Sequence, residues 1–304
     1  MIKQKNENFI DSSVHRKKRN IESKVETYDG VPVFSLLEFN IFGACNRSCS
    51  FCPVSDTSFF KNQYKGIDLK LYEKIICELR DISYSGDILY SAFSEPLLNK
   101  EVYDLIKTTK RYLSRVNVEI VSNGDVILKN KTILNKLFDN GLDVLSISIY
   151  DGPKEYDEFQ CIIKEKKLDD GRVILRRRYK QDGNYGLTIS NRAGLIDSNK
   201  FRAQNEDKVE VDSLPLKKAC FYPFYQMVVD YDGDVLMCSH DWKKEKVIGN
   251  ANETNIFNIW KGEQINRARL LLKNKSRNFS PCNNCDIKGD VMGKPNFDAW
   301  VNKI

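Results

Sequence analysis

The 304-residue sequence predicts an α/β protein: a partial (β/α)6 parallel barrel followed by a small C-terminal module of β-hairpin and helices. Three observations predict this. Apolar, β-prone runs alternate with helical patterns through the first two thirds of the chain. Those runs are apolar on one face and polar on the other. Seven of the nine cysteines gather in two groups, one after the first strand and one spread through the last third.

The expected strands are Phe34–Phe42, Ile88–Phe93, Val116–Val121, Val144–Tyr150, Val173–Tyr179 and Leu187–Ser190, with helices near Asp68–Ile82, Asn99–Ser114, Leu128–Asn140 and Pro153–Lys167. Such alternation builds right-handed βαβ units on a parallel sheet. Period two then sorts the side chains. Leu37, Phe39 and Ile41 oppose Glu38 and Asn40, Leu145, Ile147 and Ile149 oppose Ser146, Ser148 and Tyr150, and Val173 and Leu175 oppose Arg176 and Arg178. A polar face in strand after strand, with helices covering the other, implies a hydrated or ligand-filled interior. Beyond about residue 197 the pattern changes. Asn199–Val211 reads as a linker, and Phe224–Asp230 and Val235–Cys238 flank an Asp232-Gly233 hairpin signal. Short helices follow near Asn255–Lys261 and Gln264–Asn274, then Cys282 and Cys285. The expected units are a polar leader (1–30), the barrel (31–196), and a linker with the cysteine-anchored module (197–304).

Composition is that of a soluble globular chain, 41% hydrophobic and 30% charged, with 48 basic and 42 acidic residues for a net charge of +6. No apolar run is long enough to cross a bilayer and no signal-like h-region opens the chain, so no membrane association and a cytoplasmic location are expected. The basic run His15–Arg19 reads as a solvated, partly disordered tail. No aromatic residues interleave with it, and no nucleic-acid partner is expected.

Cys45, Cys49 and Cys52 lie within eight residues, directly after the first strand. Three soft thiolates in so short a span suit zinc, copper(I) or an iron–sulfur cluster, and no histidine lies nearby to complete a zinc tetrahedron. Three ligands on a [4Fe–4S] cube leave one iron open to an outside molecule. With Phe51, this segment resembles the CxxxCxΦC signature of the radical S-adenosylmethionine (SAM) superfamily. The resemblance implies that SAM chelates the open iron and is cleaved to a 5′-deoxyadenosyl radical. It further implies cofactor contacts from Phe51, Ser94 and Glu95 (in place of a Gly-Gly-Glu-Pro motif), Asn123 of Ser122-Asn123-Gly124, Ser146 and Ser148. Arg176 would be the carboxylate partner, with Arg178 or Arg192 as substitutes.

Cys220 and Cys238 enclose the hairpin, and Cys282 and Cys285 form a CxxC. By spacing alone, four thiolates read first as structural zinc. The order CxₙGxxxxC then CxxC instead resembles the twitch form of the SPASM extension of radical SAM enzymes, which implies one auxiliary [4Fe–4S] cluster held entirely by protein. His240 is expected either to donate to cluster sulfur or to act as a base, and Cys77 and Cys161 read as buried helix residues.

The resemblance points to twitch-type dehydrogenases and sugar epimerases. The expected reaction is hydrogen abstraction from a C–H of a small polyol, sugar or aminocyclitol-like substrate, with the auxiliary cluster accepting an electron. Arg192, Tyr150 and Glu38 are the inward-facing candidates for catalytic work. A sugar epimerase, a maturase acting on a peptide, and a non-catalytic metal protein are the alternatives. A flavodoxin- or ferredoxin-type reductant is the expected partner.

Overall fold

The computed structural model describes residues 12–168, 171–202 and 213–304. Five of the six expected barrel strands form: β1 (Leu36–Asn40), β2 (Asp87–Tyr90), β3 (Val118–Ser122), β4 (Val144–Ile149) and β5 (Val173–Arg177). All four pairings between neighbours are parallel. The register places Glu38 beside Leu89, Leu89 beside Glu119, Val121 beside Ser146 and Ser148 beside Arg176. The inner face is therefore polar along much of its length, as the alternation requires.

The outer face is covered by helices α2 (Leu69–Asp81), α3 (Val102–Tyr112), α4 (Thr132–Asp139) and α5 (Pro153–Glu165). Asp68 starts α2 by accepting from the backbone of Lys70 and Leu71, the N-cap that the aspartate before an apolar repeat announces. Leu71, Tyr72, Ile75, Ile76 and Leu79 then bury one stripe, each worth roughly 1.5–3 kcal/mol. They meet Leu37, Phe39, Ile88 and Tyr90 in one continuous core. Cys77 and Cys161 were expected in this core, yet Cys77 is only half-buried and Cys161 is exposed. Neighbours at helical spacing, Phe159, Ile162 and Ile163 in α5, take the buried face instead.

The expected sixth strand at Leu187–Ser190 does not form. The sheet grows on its other edge: β6 (Gln226–Asp230) lies parallel to β1, with Gln226 beside Leu36 and Asp230 beside Asn40. The hairpin partner β7 (Asp234–Leu236) and then β8 (Val247–Asn250) follow antiparallel. The eight-stranded order is β8-β7-β6-β1-β2-β3-β4-β5, so the C-terminal hairpin belongs to the barrel sheet. Behind it pack α6 (Ile256–Trp260), α7 (Glu263–Lys273) and α8 (Lys294–Val301). Arg269 is fully buried there, its guanidinium 3.9 Å and 3.7 Å from the ring centres of Trp260 and Trp300. Most of the expected linker, residues 203–211, lies outside the described residues.

The leader also departs from expectation. Ser12–Ser23 is a helix, α1, seated at the N-terminal end of the barrel strands. Ile21 packs on Leu36 and Leu89. Asn20 donates to Asp87 at 3.0 Å, and Arg16 and Lys17 pair with buried Glu119. Carboxylates on an inner sheet face need partners, and the basic run supplies them. Among the described residues, no helix is long and apolar enough to cross a membrane.

Candidate active site

The C-terminal ends of the strands converge on a cavity of about 240 Å³, the usual place for a site in a parallel α/β sheet. The loop after β1 brings Cys45, Cys49, Phe51 and Cys52. That after β2 brings Ser94 and Glu95, that after β3 Asn123, and the end of β4 Ser148 and Tyr150. Arg176, Arg178 and Arg192 also line it, with Glu38 of β1 and with Ser239 and Trp242 from beyond β7. Every expected cofactor and catalytic residue of the barrel half therefore lines this cavity except Ser146. Its hydroxyl donates to Glu119 at 2.8 Å, nearer the α1 end of the barrel. One step of two along a strand moves a side chain by about 7 Å, enough to separate Ser146 from Ser148 in function.

The cysteine loop is held from three sides. Cys45 N donates to Asn62 Oδ1 at 2.9 Å, and Asn62 Nδ2 returns to Cys45 O at 3.2 Å. Arg47, inside the cysteine spacer, donates bidentately to Asp125, bonds Asp151 at 2.9–3.0 Å and reaches Glu155 at 3.4 Å. It thereby ties the loop to those after β3 and β4. Burial works against its charge, but Asp125 and Asp151 outweigh that and hold the guanidinium ionised. Asn123 Nδ2 donates to Asn46 at 2.8 Å and stands 3.9 Å from Cys45 Sγ. Gly124 follows with φ 78°, and a Cβ there would meet Phe159 at 2.5 Å, which accounts for glycine in Ser-Asn-Gly.

Glu95 is fully buried and accepts from Asn123 N at 2.7 Å, Leu97 N at 3.0 Å and Ser122 Oγ at 2.8 Å. Burial nevertheless pushes its carboxyl up to about 7, a carboxylate waiting for a cation. Ser94 Oγ donates to Asn40 Oδ1 at 2.6 Å, and Asn40 donates to buried Asp230 at 2.7 Å. Phe51 stacks on Tyr150 with centroids 5.8 Å apart. Among the catalytic candidates, Glu38 is raised by burial, opposed by the Lys17 charge and by bonds from Ser239 and Ser91. Burial likewise lifts Tyr150 to about 12. Arg192 reaches the cavity from the segment where the sixth strand was expected, its Nη1 3.5 Å from His240 Nδ1.

Cys220, Cys238, Cys282 and Cys285 ring a second, smaller cavity of about 20 Å³ walled by Tyr222, Met237, His240 and Ile287. Burial lifts all four thiols, and each is raised further by neighbouring thiols or acids. His240 N lies 3.4 Å from Cys238 Sγ, a donor to sulfur, while burial and then Arg192 hold its ring neutral, down to about 3. All nine cysteines are free. Among the described residues no three histidine, cysteine or acidic side chains are drawn together as one metal ion requires. Soft thiols lining a cavity are the donor set a multi-iron cube takes, with three available in the first site and four in the second.

Sequence reasoning missed the Arg47 clamp, Asn62, and the acids Asp125, Asp151 and Glu155. Arg47 and Asp125 each adjoin a recognised motif, and their opposite charges were the available signal. Ser239 and Trp242 reach the cavity only because β6 and β7 join the sheet, which nothing local announces.

Comparison with known proteins agrees with this geometry. Residues 39–179 match the radical SAM superfamily, and residues 220–286 match the SPASM iron–sulfur cluster-binding domain. The chain is 28% identical over 260 residues to the S-adenosyl-L-methionine-dependent 2-deoxy-scyllo-inosamine dehydrogenase of Niallia circulans, covering 84% of this chain and 93% of that one. The crystal structure of BtrN in complex with AdoMet and 2-DOIA superposes with a TM-score of 0.69 at 26% identity, covering 84% and 94% of the two chains. Native anSMEcpe with bound AdoMet shares the fold at a TM-score of 0.50 and 14% identity, covering 88% and 97%. With both cysteine sites, the cavity and these matches in hand, the chain is an enzyme with a radical SAM domain, which binds SAM and a [4Fe–4S] cluster, followed by a SPASM/twitch iron–sulfur module.

Proposed function

We propose that this enzyme is a radical dehydrogenase of a small polyhydroxylated substrate, with an aminocyclitol as its nearest chemical type. In this reading residues 31–196 generate the radical, 197–304 accept the electron, and the leader within 1–30 closes the barrel. Cys45, Cys49 and Cys52 hold the first cluster, and Cys220, Cys238, Cys282 and Cys285 the second. Bound there, the first cluster and SAM supply a hydrogen-abstracting 5′-deoxyadenosyl radical, and the second cluster supplies an electron sink.

The chain's own groups do the rest. Glu95 takes the SAM ammonium, its buried carboxylate gaining the cation that offsets its desolvation. Arg176 takes the SAM carboxylate, Asn123, Ser94 and Ser148 bond the remaining polar edges, and Phe51 packs on the cofactor. Oxidising an alcohol carbon after hydrogen abstraction also requires loss of a proton. Glu38, Arg192 and Tyr150 line the remaining space, and Glu38, the one carboxyl of the three, is the group assigned to receive it. The relative from Niallia circulans is named for an aminocyclitol dehydrogenation, and its match over 84% of this chain supports the same reaction type here. The reductant is expected to be a flavodoxin or ferredoxin in the cytoplasm.

The observation that carries this reading over epimerisation is the absence of a spare thiol. An epimerase of the expected kind returns a hydrogen atom from a cysteine, yet Cys77 and Cys161 lie on the outer helices and neither lines the cavity. The test is anaerobic incubation of reduced enzyme with SAM and 2-deoxy-scyllo-inosamine, then with related inosamines and inositols. One 5′-deoxyadenosine per ketone formed, with no solvent deuterium in recovered substrate, is expected. Deuterium at an inverted, unoxidised carbon overturns the reading.

A further inference from the structure

A buried polar cluster lies apart from the cofactor cavity, beside a separate cavity of about 420 Å³ that Asn191, Ser198 and Asp286 line. Asp286, directly after Cys285, is buried, and its carboxylate accepts from Asn191 N at 2.9 Å, Ser198 Oγ at 2.6 Å and Arg202 Nη2 at 2.9 Å. Asn191 answers in kind: Nδ2 donates to Asn284 O at 2.7 Å, and Oδ1 accepts from Asp286 N at 3.3 Å. The segment that carries the CxxC is thus stitched to residues 191–202.

Directly after Asn191 the backbone turns left-handed three times in a row, at Arg192 (φ 49°), Ala193 (φ 53°) and Gly194 (φ 93°). A Cβ on Gly194 would meet Asn284 Cβ at 3.1 Å, so this turn presses against the same segment. Side-chain-bearing residues hold such conformations only where their surroundings over-determine them. The turn delivers Arg192 into the cofactor cavity, while Ala193 lines the auxiliary chamber.

We propose that Asp286 and Asn191 form a latch through which the auxiliary-cluster segment positions Arg192, so that seating of substrate depends on ligation of the second cluster. Asp286 and Asn191 are positioning residues, and Arg192 is the group that meets substrate. Ligation at Cys282 and Cys285 fixes residues 282–286, since metal binding carries the ordering of its own loop. Without it the Asp286 carboxylate loses its place, and the left-handed turn loses what holds it. The substrate arm of this inference rests on the dehydrogenase reading above; the exchange arm does not.

The test compares wild type, Asp286→Asn, Asn191→Ala and the double variant Cys282→Ser/Cys285→Ser. Hydrogen exchange across residues 190–202 is expected to accelerate at least tenfold in all three variants. In Asp286→Asn the KM for 2-deoxy-scyllo-inosamine is expected to rise at least tenfold, while 5′-deoxyadenosine release driven by dithionite without substrate stays within twofold. That split separates positioning from general damage. Unchanged exchange in the cysteine variant, or equal losses of SAM cleavage and substrate turnover in both latch variants, overturns the proposal. If wild type fails to oxidise the aminocyclitol, the dehydrogenase reading fails, and exchange in the cysteine variant still decides the latch.

Discussion

The two thiol-lined chambers use the same ligand atom for opposite ends. The first has three cysteines at the edge of a 240 Å³ cavity whose other walls carry arginines, serines and carboxyls. The second has four cysteines around a 20 Å³ space bounded by Tyr222, Pro223, Met237 and Ile287, with His240 and Arg277 beside them. Burial pushes Cys45 to about 11 and Cys49 to about 12, and Cys238 well above the usual thiol range. A cluster must displace those protons to bind, and four thiols in the smaller chamber would leave it no iron open to an outside ligand. One missing thiolate and a polar wall turn a structural type of site into one that admits a cofactor.

The largest effect that tests this contrast comes from the cysteines. Cys49→Ser is expected to reduce 5′-deoxyadenosine formation at least about 10³-fold and iron content from about eight to about four atoms, measured on anaerobically reconstituted protein. Cys238→Ser should lose a similar share of iron and all product, yet still release 5′-deoxyadenosine. Identical behaviour of the two variants would erase the distinction.

Arg47→Ala comes next. It leaves Asp125, Asp151 and Glu155 facing one another without their shared cation. A loss of about 2–4 kcal/mol in denaturant unfolding and a tenfold or greater weakening of SAM binding are expected. The smaller chamber should keep its cluster in this variant, which electron paramagnetic resonance can check.

Glu95 sharpens the comparison through pH. Its carboxyl sits at about 7 because of burial, so it is mostly neutral below that pH and an anion above. SAM presents an ammonium, so affinity should rise with pH through about 7, by at most tenfold per unit below it. Calorimetric titration from pH 6 to 8 measures this, and Glu95→Gln should flatten the profile. The raised value also means that unliganded protein gives up stability as pH rises from about 4.5 to about 7, because the folded state binds the proton more tightly.

The smallest effect lies at the other end of the barrel. Glu119 is opposed by burial, but Lys17 and Arg16 overcome this and hold it below the usual carboxylate range. A depressed carboxylate contributes stability that is present above its unfolded value and lost as pH falls through its folded one. Lys17→Ala should therefore cost about 1 kcal/mol near pH 7 and reduce the acid-side loss, both readable from urea midpoints.

Most of the barrel was legible because strand and helix each leave a periodic trace. The Asp68 cap, the Leu71–Leu79 stripe and the β1 and β4 alternations agree at every level. The cysteine spacings were equally direct. Leu187–Ser190 misled because its alternation is real, but no strand forms there, and the segment runs into Asn191, whose backbone N–H donates to the Asp286 side chain almost a hundred residues away. The α1 helix was hidden because Ile21 alone gives it an apolar anchor and the rest of its seat is electrostatic: a basic run reads as solvated until the acids near it, Asp87 and Glu119, are known. Ser146 and Ser148 look alike in sequence, and only depth along the strand separates them.

The parallel seam between β1 and β6 has a consequence for how this chain can be divided. The strand that leads into the cofactor loop is flanked on one side by a segment made almost two hundred residues later, with Asn40 bonded to Asp230 across the seam. A fragment ending near residue 196 would leave that strand as a bare, apolar sheet edge, an invitation to pair with other copies. During synthesis the same edge stands open until the last third emerges, so the radical-forming half reaches its protected state only when the module that completes the sheet has joined it.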